Sequence, residues 1–165
     1  MYVQPLESAL KDKPIITKEE INDIFGNIQE VLTNNTKFLQ LLNHEIKKPF
    51  AELNLGKIFL ETFEAFKKVY SQNLSLLNKS RVTLKQIFTT NKKFETFYNK
   101  KREDNRQKGL NLDSFLIKPF QRITKYHLLL RAIIEFTPLD HKYRNGNFFN
   151  FFQFFQCFII FFQKN

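Results

Sequence analysis

Lys118, Gln121, Arg122 and Lys125 stand at i, i+3, i+4 and i+7 in the stretch 112–137. At about 100° per residue this spacing gathers them on one side of a helix, opposite Leu116, Phe120, Ile123, Leu130 and Ile134. Leu129, another turn on, falls among the polar four. Three cations and an amide can donate hydrogen bonds and present positive charge. A face of this kind looks at a partner or at solvent, and an ordinary solvated helix side is the plain alternative.

Bond-making groups are not gathered elsewhere in the chain. Histidine occurs only at positions 44, 127 and 141, with no Glu-x-x-His or His-x-x-x-His pairing, so no metal site is expected. The chain has no Gly-x-x-x-x-Gly-Lys phosphate loop and no Gly-x-Ser-x-Gly elbow, and no cofactor is expected. His127 falls on the apolar side of its helix and reads as a packed or rim residue, not a base. The basic run 99–109 is interrupted by Glu103 and Asp104 and lacks interleaved aromatics, so it reads as a solvated connection and no nucleic-acid partner is expected.

Composition bounds the elements that must position the basic face. The chain has 165 residues, 42% of them hydrophobic, enough for one domain with its own core. Only four glycines are present, poor material for a turn-rich β fold, so long helices and an all-α fold are expected. Phe 21 with Trp 0 and a formal charge of +10 are unusual. A single cysteine, Cys157, permits no internal disulfide and fits a reducing, cytoplasmic compartment, and the N-terminus shows no signal peptide.

In chain order, Tyr2, Leu6 and Leu10 have helical spacing that Pro14 ends. Thr17 with Glu20 three residues on carries the capping-box signature. From there an apolar stripe predicts one helix to about residue 47. Gly26 inside it marks either a close helix contact or mere tolerance. Spacing then predicts a second helix over 53–77, a third over 82–98, and the helix of 112–137.

The stretch Phe115 to Leu130 closely resembles the third conserved block of the Dbl-homology (DH) domain, the catalytic module of Rho guanine-nucleotide exchange factors. Lys118-Pro119, Gln121-Arg122, Tyr126 and Leu128-Leu129-Leu130 match that pattern. Upstream, Ile24 to Ile28 resembles the segment after the first block, and Gly56 to Leu60 with Val69-Tyr70-Ser71 resembles the second. The resemblance covers residues 2–143. It implies an elongated antiparallel helical bundle that binds a Rho-family small GTPase, Rac- or Rho-like, at its switch regions and promotes GDP release without making a bond. Lys125 then matches the basic position turned toward the switch region, with Gln121 one turn before it. Arg122 either does the same or braces a neighbouring helix, Lys118 is a solvated flank, and Leu129 is an apolar anchor within the basic face.

Departures from the family pattern qualify this reading. The family's opening helix, with its glutamate contact, has no counterpart before Tyr2, and its final long helix is replaced after Tyr143. A pleckstrin-homology domain is absent. The chain thus divides into a partial DH domain, 1–143, and a Phe-rich segment, 144–165. That segment is shorter than a membrane span and is interrupted by Asn150, Gln153 and Gln156. It packs as a substitute last helix, lies at a membrane surface as a peripheral contact, aggregates, or represents translated non-coding sequence. Two functions stay open: an exchange factor lacking two of three contacting elements, and a non-catalytic helical module or inactive relic.

Overall fold

The computed structural model describes residues 2–103 and 110–144, and every regular element among them is helical. Helix α1 spans Val3–Ala9, α2 Lys18–Phe25, α3 Ile28–Glu45, α4 Leu55–Thr90, α5 Lys92–Arg102, α6 Leu112–Leu116 and α7 Lys118–Phe136; a 3-10 turn at Phe50–Glu52 precedes α4. These elements sort into two units, one formed by residues up to Ile28 with Gln72–Lys118, the other by Gln29–Ser71 with the chain from Pro119 onward.

In the first unit the capping box forms as expected. The Glu20 backbone N–H donates to Thr17 Oγ1 at 3.1 Å, and the Thr17 N–H donates to Glu20 Oε2 at 2.7 Å. Two of the orphan donors at the start of α2 are thereby satisfied. Leu6, Ile24, Ile87, Phe94 and Leu112 are almost fully buried and form the centre of this unit's core.

The helix expected over 17–47 is instead two. Gly26 adopts φ +50° and ψ −130°, which ends α2 before α3 begins. A Cβ on Gly26 would lie 2.9 Å from Leu76 Cδ1, so the close contact foreseen there also exists. Side-chain-bearing residues avoid positive φ, and glycine is the residue that does not.

The two helices expected over 53–77 and 82–98 are also divided differently. Helix α4 runs unbroken for 36 residues. Its interior from Lys57 to Thr90 holds no glycine or proline, so nothing interrupts the backbone ladder. The polar run at 78–81, between the two expected helices, is tied down by its side chains. Lys79 pairs with Asp23 at 2.6 Å, Ser80 Oγ donates to the Leu76 carbonyl, and the Arg81 guanidinium forks onto Asp113 at 2.7 and 3.3 Å. The break falls at Asn91, whose Oδ1 accepts from the Phe94 N–H at 3.0 Å and caps α5. Its Nδ2 donates to the Ile15 carbonyl at 2.8 Å. Helix α5 then reaches Arg102, inside the connection expected over 99–109, whose residues 104–109 lie outside the described ones.

In the second unit, Phe38 of α3 meets Phe59 and Phe66 of α4 and Tyr126 of α7 edge to face, with ring centroids 4.9, 5.1 and 5.6 Å away. Such contacts add about 0.5–1.5 kcal/mol each beyond the area they bury. At the end of α3, buried Glu45 accepts from the Asn54 N–H at 2.8 Å and from Lys48 Nζ at 2.7 Å. The hydrogen bond from Lys48, seconded by that from Asn54, outweighs burial and holds the Glu45 carboxyl below its ordinary value.

The helix expected over 112–137 is likewise divided. Pro119 has no N–H to donate to the Phe115 carbonyl, and the pattern breaks at Ile117. Proline is tolerated in a first helical turn, so Pro119 sits buried at the start of α7. The Phe-rich segment expected to be a separate tail lies, from residue 145 on, outside the described residues.

Candidate functional site

Helix α7 has a sharply divided surface. Pro119, Ile123, Tyr126 and Leu130 are buried at spacings of four, three and four, the seam of a packed helix. Gln121, Arg122, Lys125 and Leu129 are all exposed on the other side, as their spacing predicts. Phe120 and Ile134, expected in the core, are only half-buried, since Tyr126 takes the inward direction and turns the buried seam away from them. Lys118 is exposed as well, but it belongs to the first unit, where its Nζ lies 6.0 Å from the Phe115 ring centroid.

The four α7 residues of the second unit differ in how they are held. The Arg122 guanidinium lies 4.8 Å from the Tyr126 ring centroid, a cation–π contact within its own helix. Gln121 and Lys125 form no side-chain hydrogen bond or ion pair among the described residues, so their donors face outward. Leu129 is 48% exposed and Leu128 beside it 62%. Two adjacent leucines left in water next to two cations and an amide make a mixed surface with apolar anchors inside a polar frame.

Spacing alone does not reveal the cluster that Tyr126 joins on the buried side. Tyr126 stacks on Phe66 at 6.1 Å with the rings 14° apart, and its hydroxyl donates to Asn35 Oδ1 at 3.4 Å. The Tyr70 hydroxyl reaches the same Oδ1 at 3.1 Å. Burial pushes the Tyr70 hydroxyl up to about 12, against the opposing pull of its bond to Asn35. One signal for this cluster was available in the sequence: Asn35 is a polar residue between Val31 and Phe38, on the inward stripe of its helix.

Among the described residues no group of His, Cys, Asp or Glu is placed to hold a metal, and no helix is long and apolar enough to cross a membrane. His127 is half-buried, as expected of a rim residue. In the first unit an open cleft is lined by Arg81, Lys85, Phe88, Tyr98 and Asp113, but its Arg81 is already neutralised by Asp113.

Comparison with known proteins bears on the family and the fold. The family model described as the RhoGEF domain matches residues 1–157, past Tyr143 and into the Phe-rich segment. The chain is 28% identical over 167 residues to Rac guanine nucleotide exchange factor B of Dictyostelium discoideum, an alignment covering 86% of this chain and 14% of that protein. A solved structure addressing the PH and C1 domains of the Vav1 exchange factor superposes with a TM-score of 0.83 at 23% identity, over 96% of this chain and 41% of that one. The complex of PDZ-RhoGEF DH/PH domains with GTP-gamma-S activated RhoA gives 0.71 at 16% identity, over 96% and 46%. The chain therefore spans about a seventh of the length of that curated relative and under half of either solved chain.

Proposed function

The chain belongs to the RhoGEF domain family, whose members are exchange factors and not enzymes, and from that premise we propose that it accelerates GDP release from a Rho-family small GTPase of the Rac or Rho type. The helical part up to residue 143 carries this function in the cytoplasm. The supporting observation is the exposed face of α7, where Gln121, Lys125 and Leu129 stand one turn apart in a row opposite a buried seam that includes Tyr126, and where the two polar side chains have no partner among the described residues.

Exchange of this kind needs no nucleophile, base or metal of its own. A ligand shifts an equilibrium only by its differential affinity for the two states, so the factor works by binding the nucleotide-free GTPase more tightly than the GDP-bound one. Lys125 Nζ donates to backbone carbonyls or a carboxylate of a switch region, and the Gln121 amide adds a directional bond one turn away. Leu129 supplies an apolar anchor that excludes water around both. Arg122, stacked on Tyr126, presents its remaining N–H groups at the edge of the same surface. Lys118 contributes charge near the start of the helix and little else.

Release of a fluorescent GDP analogue from Rac- and Rho-type GTPases tests the reading. The chain should accelerate release, and Lys125→Ala should reduce the acceleration about tenfold, or roughly 1.4 kcal/mol, with an unchanged helical spectrum. No acceleration of any Rho-family GTPase by a folded chain would refute exchange and leave a non-catalytic helical module.

A further inference from the structure

The Asn35 amide of α3 reaches tyrosine hydroxyls on two other helices. Its Nδ2 donates to the Val31 carbonyl at 2.7 Å and lies 2.8 Å from Tyr70 Oη on α4. Its Oδ1 accepts from Tyr70 Oη at 3.1 Å and from Tyr126 Oη on α7 at 3.4 Å. Both tyrosines are buried among the phenylalanines of the second unit. Phenylalanine at either position would fill the same space without carrying a hydroxyl into an apolar setting, which costs free energy unless the hydroxyl is bonded. The hydroxyls must therefore supply something that ring packing does not.

What they supply is direction. Apolar burial is non-directional and sets the rotation of a helix less sharply than a hydrogen bond, which weakens steeply once misaligned. A turn of about 20° around the α7 axis moves a group about 6 Å from that axis by about 2 Å, beyond what such a bond tolerates. The Tyr126 hydroxyl, 3.4 Å from Asn35 Oδ1, is a directional tie from α7 to α3. Lys125 is the preceding residue and Leu129 lies three residues on, so their outward directions follow from the inward direction of Tyr126. Arg122, one turn earlier, rests on the Tyr126 ring itself.

We propose that Asn35 is a positioning residue: through Tyr126 it sets the rotational register of α7 and hence how Gln121, Arg122, Lys125 and Leu129 are presented to the GTPase. This inference rests on the exchange-factor reading for its functional consequence, but its structural half stands without it.

Three variants of the full chain test it. Asn35→Leu keeps the volume and removes both polar atoms, Tyr126→Phe removes only the α7 hydroxyl, and Tyr70→Phe removes the α4 hydroxyl but keeps Asn35 on both Val31 and Tyr126. The first two should lower the maximal rate of GDP-analogue release about fivefold or more, and Tyr70→Phe, which leaves the Tyr126 bond in place, should stay near wild type. Wild-type rates in folded Asn35→Leu and Tyr126→Phe would overturn the proposal. Independently of any GTPase, nitroxides on Gln40→Cys and Lys125→Cys in a Cys157→Ser background report the register by pulsed electron resonance. The distance distribution should be narrow in the parent and with Tyr70→Phe, and broad with Asn35→Leu. An unchanged narrow distribution in Asn35→Leu would sink the positioning role, whereas failure of the wild-type chain to accelerate release would remove only the exchange reading.

Discussion

Gly26 and Tyr70 carry more structure than their neighbours. A side chain on Gly26 would meet both a positive φ and Leu76 Cδ1 at 2.9 Å. Gly26→Ala should cost about 1–3 kcal/mol, read as a lowered urea midpoint with an unchanged slope. Tyr70 resists ionisation because it is buried, and it titrates at about 12 where its ordinary value is 10.0. Between those values the unfolded chain loses the Tyr70 proton and the folded one keeps it, so the hydroxyl's contribution is whole below pH 10 and is lost as pH rises toward 12. Wild type should therefore be more stable than Tyr70→Phe at pH 8, with the gap closing across that window; a gap that stays constant to pH 12 would show that Tyr70 titrates normally. The outward set Gln121, Arg122, Lys125 and Leu129 was legible in the sequence because 3.6-residue spacing alone sorts a helix into sides. The tie from Arg122 to Tyr126 and on to Asn35 was not, since it joins residues 91 positions apart and local spacing carries no such information.

Elements were legible where the backbone's own chemistry decides them, and misjudged where apolar spacing was the only guide. Thr17 with Glu20 marked the start of α2 correctly because a capping box is a local device. The gap in apolar residues at 78–81 suggested a break that α4 does not have, because the polar side chains there find partners and the ladder continues beneath them. Its real end depends on Asn91, which caps α5 and ties it to the Ile15 carbonyl. Asn91→Ala removes both bonds and should destabilise the chain by about 1–2 kcal/mol, seen as a lower thermal midpoint. Asn91→Asp, which still caps but cannot donate to the Ile15 carbonyl, should recover only the share of the cap. A midpoint unchanged in Asn91→Ala would show that the α4–α5 break is held by apolar packing alone.

At the scale of the whole molecule, each unit has its own core, and the exposed large apolar side chains are unevenly shared between them. Among the described residues only Val82 in the first unit is of this kind, whereas the second exposes Leu32 and Leu39 on α3, Ile46 just past its end, and Leu128 and Leu129 on α7. All-helical architecture followed from scarce glycine and long apolar stripes, and family membership from one motif, because both are written in local residue order. A surface that drives exchange must do more than attract a GTPase through a net charge of +10, since equal affinity for both nucleotide states shifts nothing. The direct measurement is therefore the dissociation constant of the chain for one responsive Rho-family GTPase, taken nucleotide-free and again loaded with GDP and magnesium at the same ionic strength. Affinity at least about tenfold tighter for the nucleotide-free form, lost selectively in Lys125→Ala, is the expected result. Equal affinity for the two forms would contradict it.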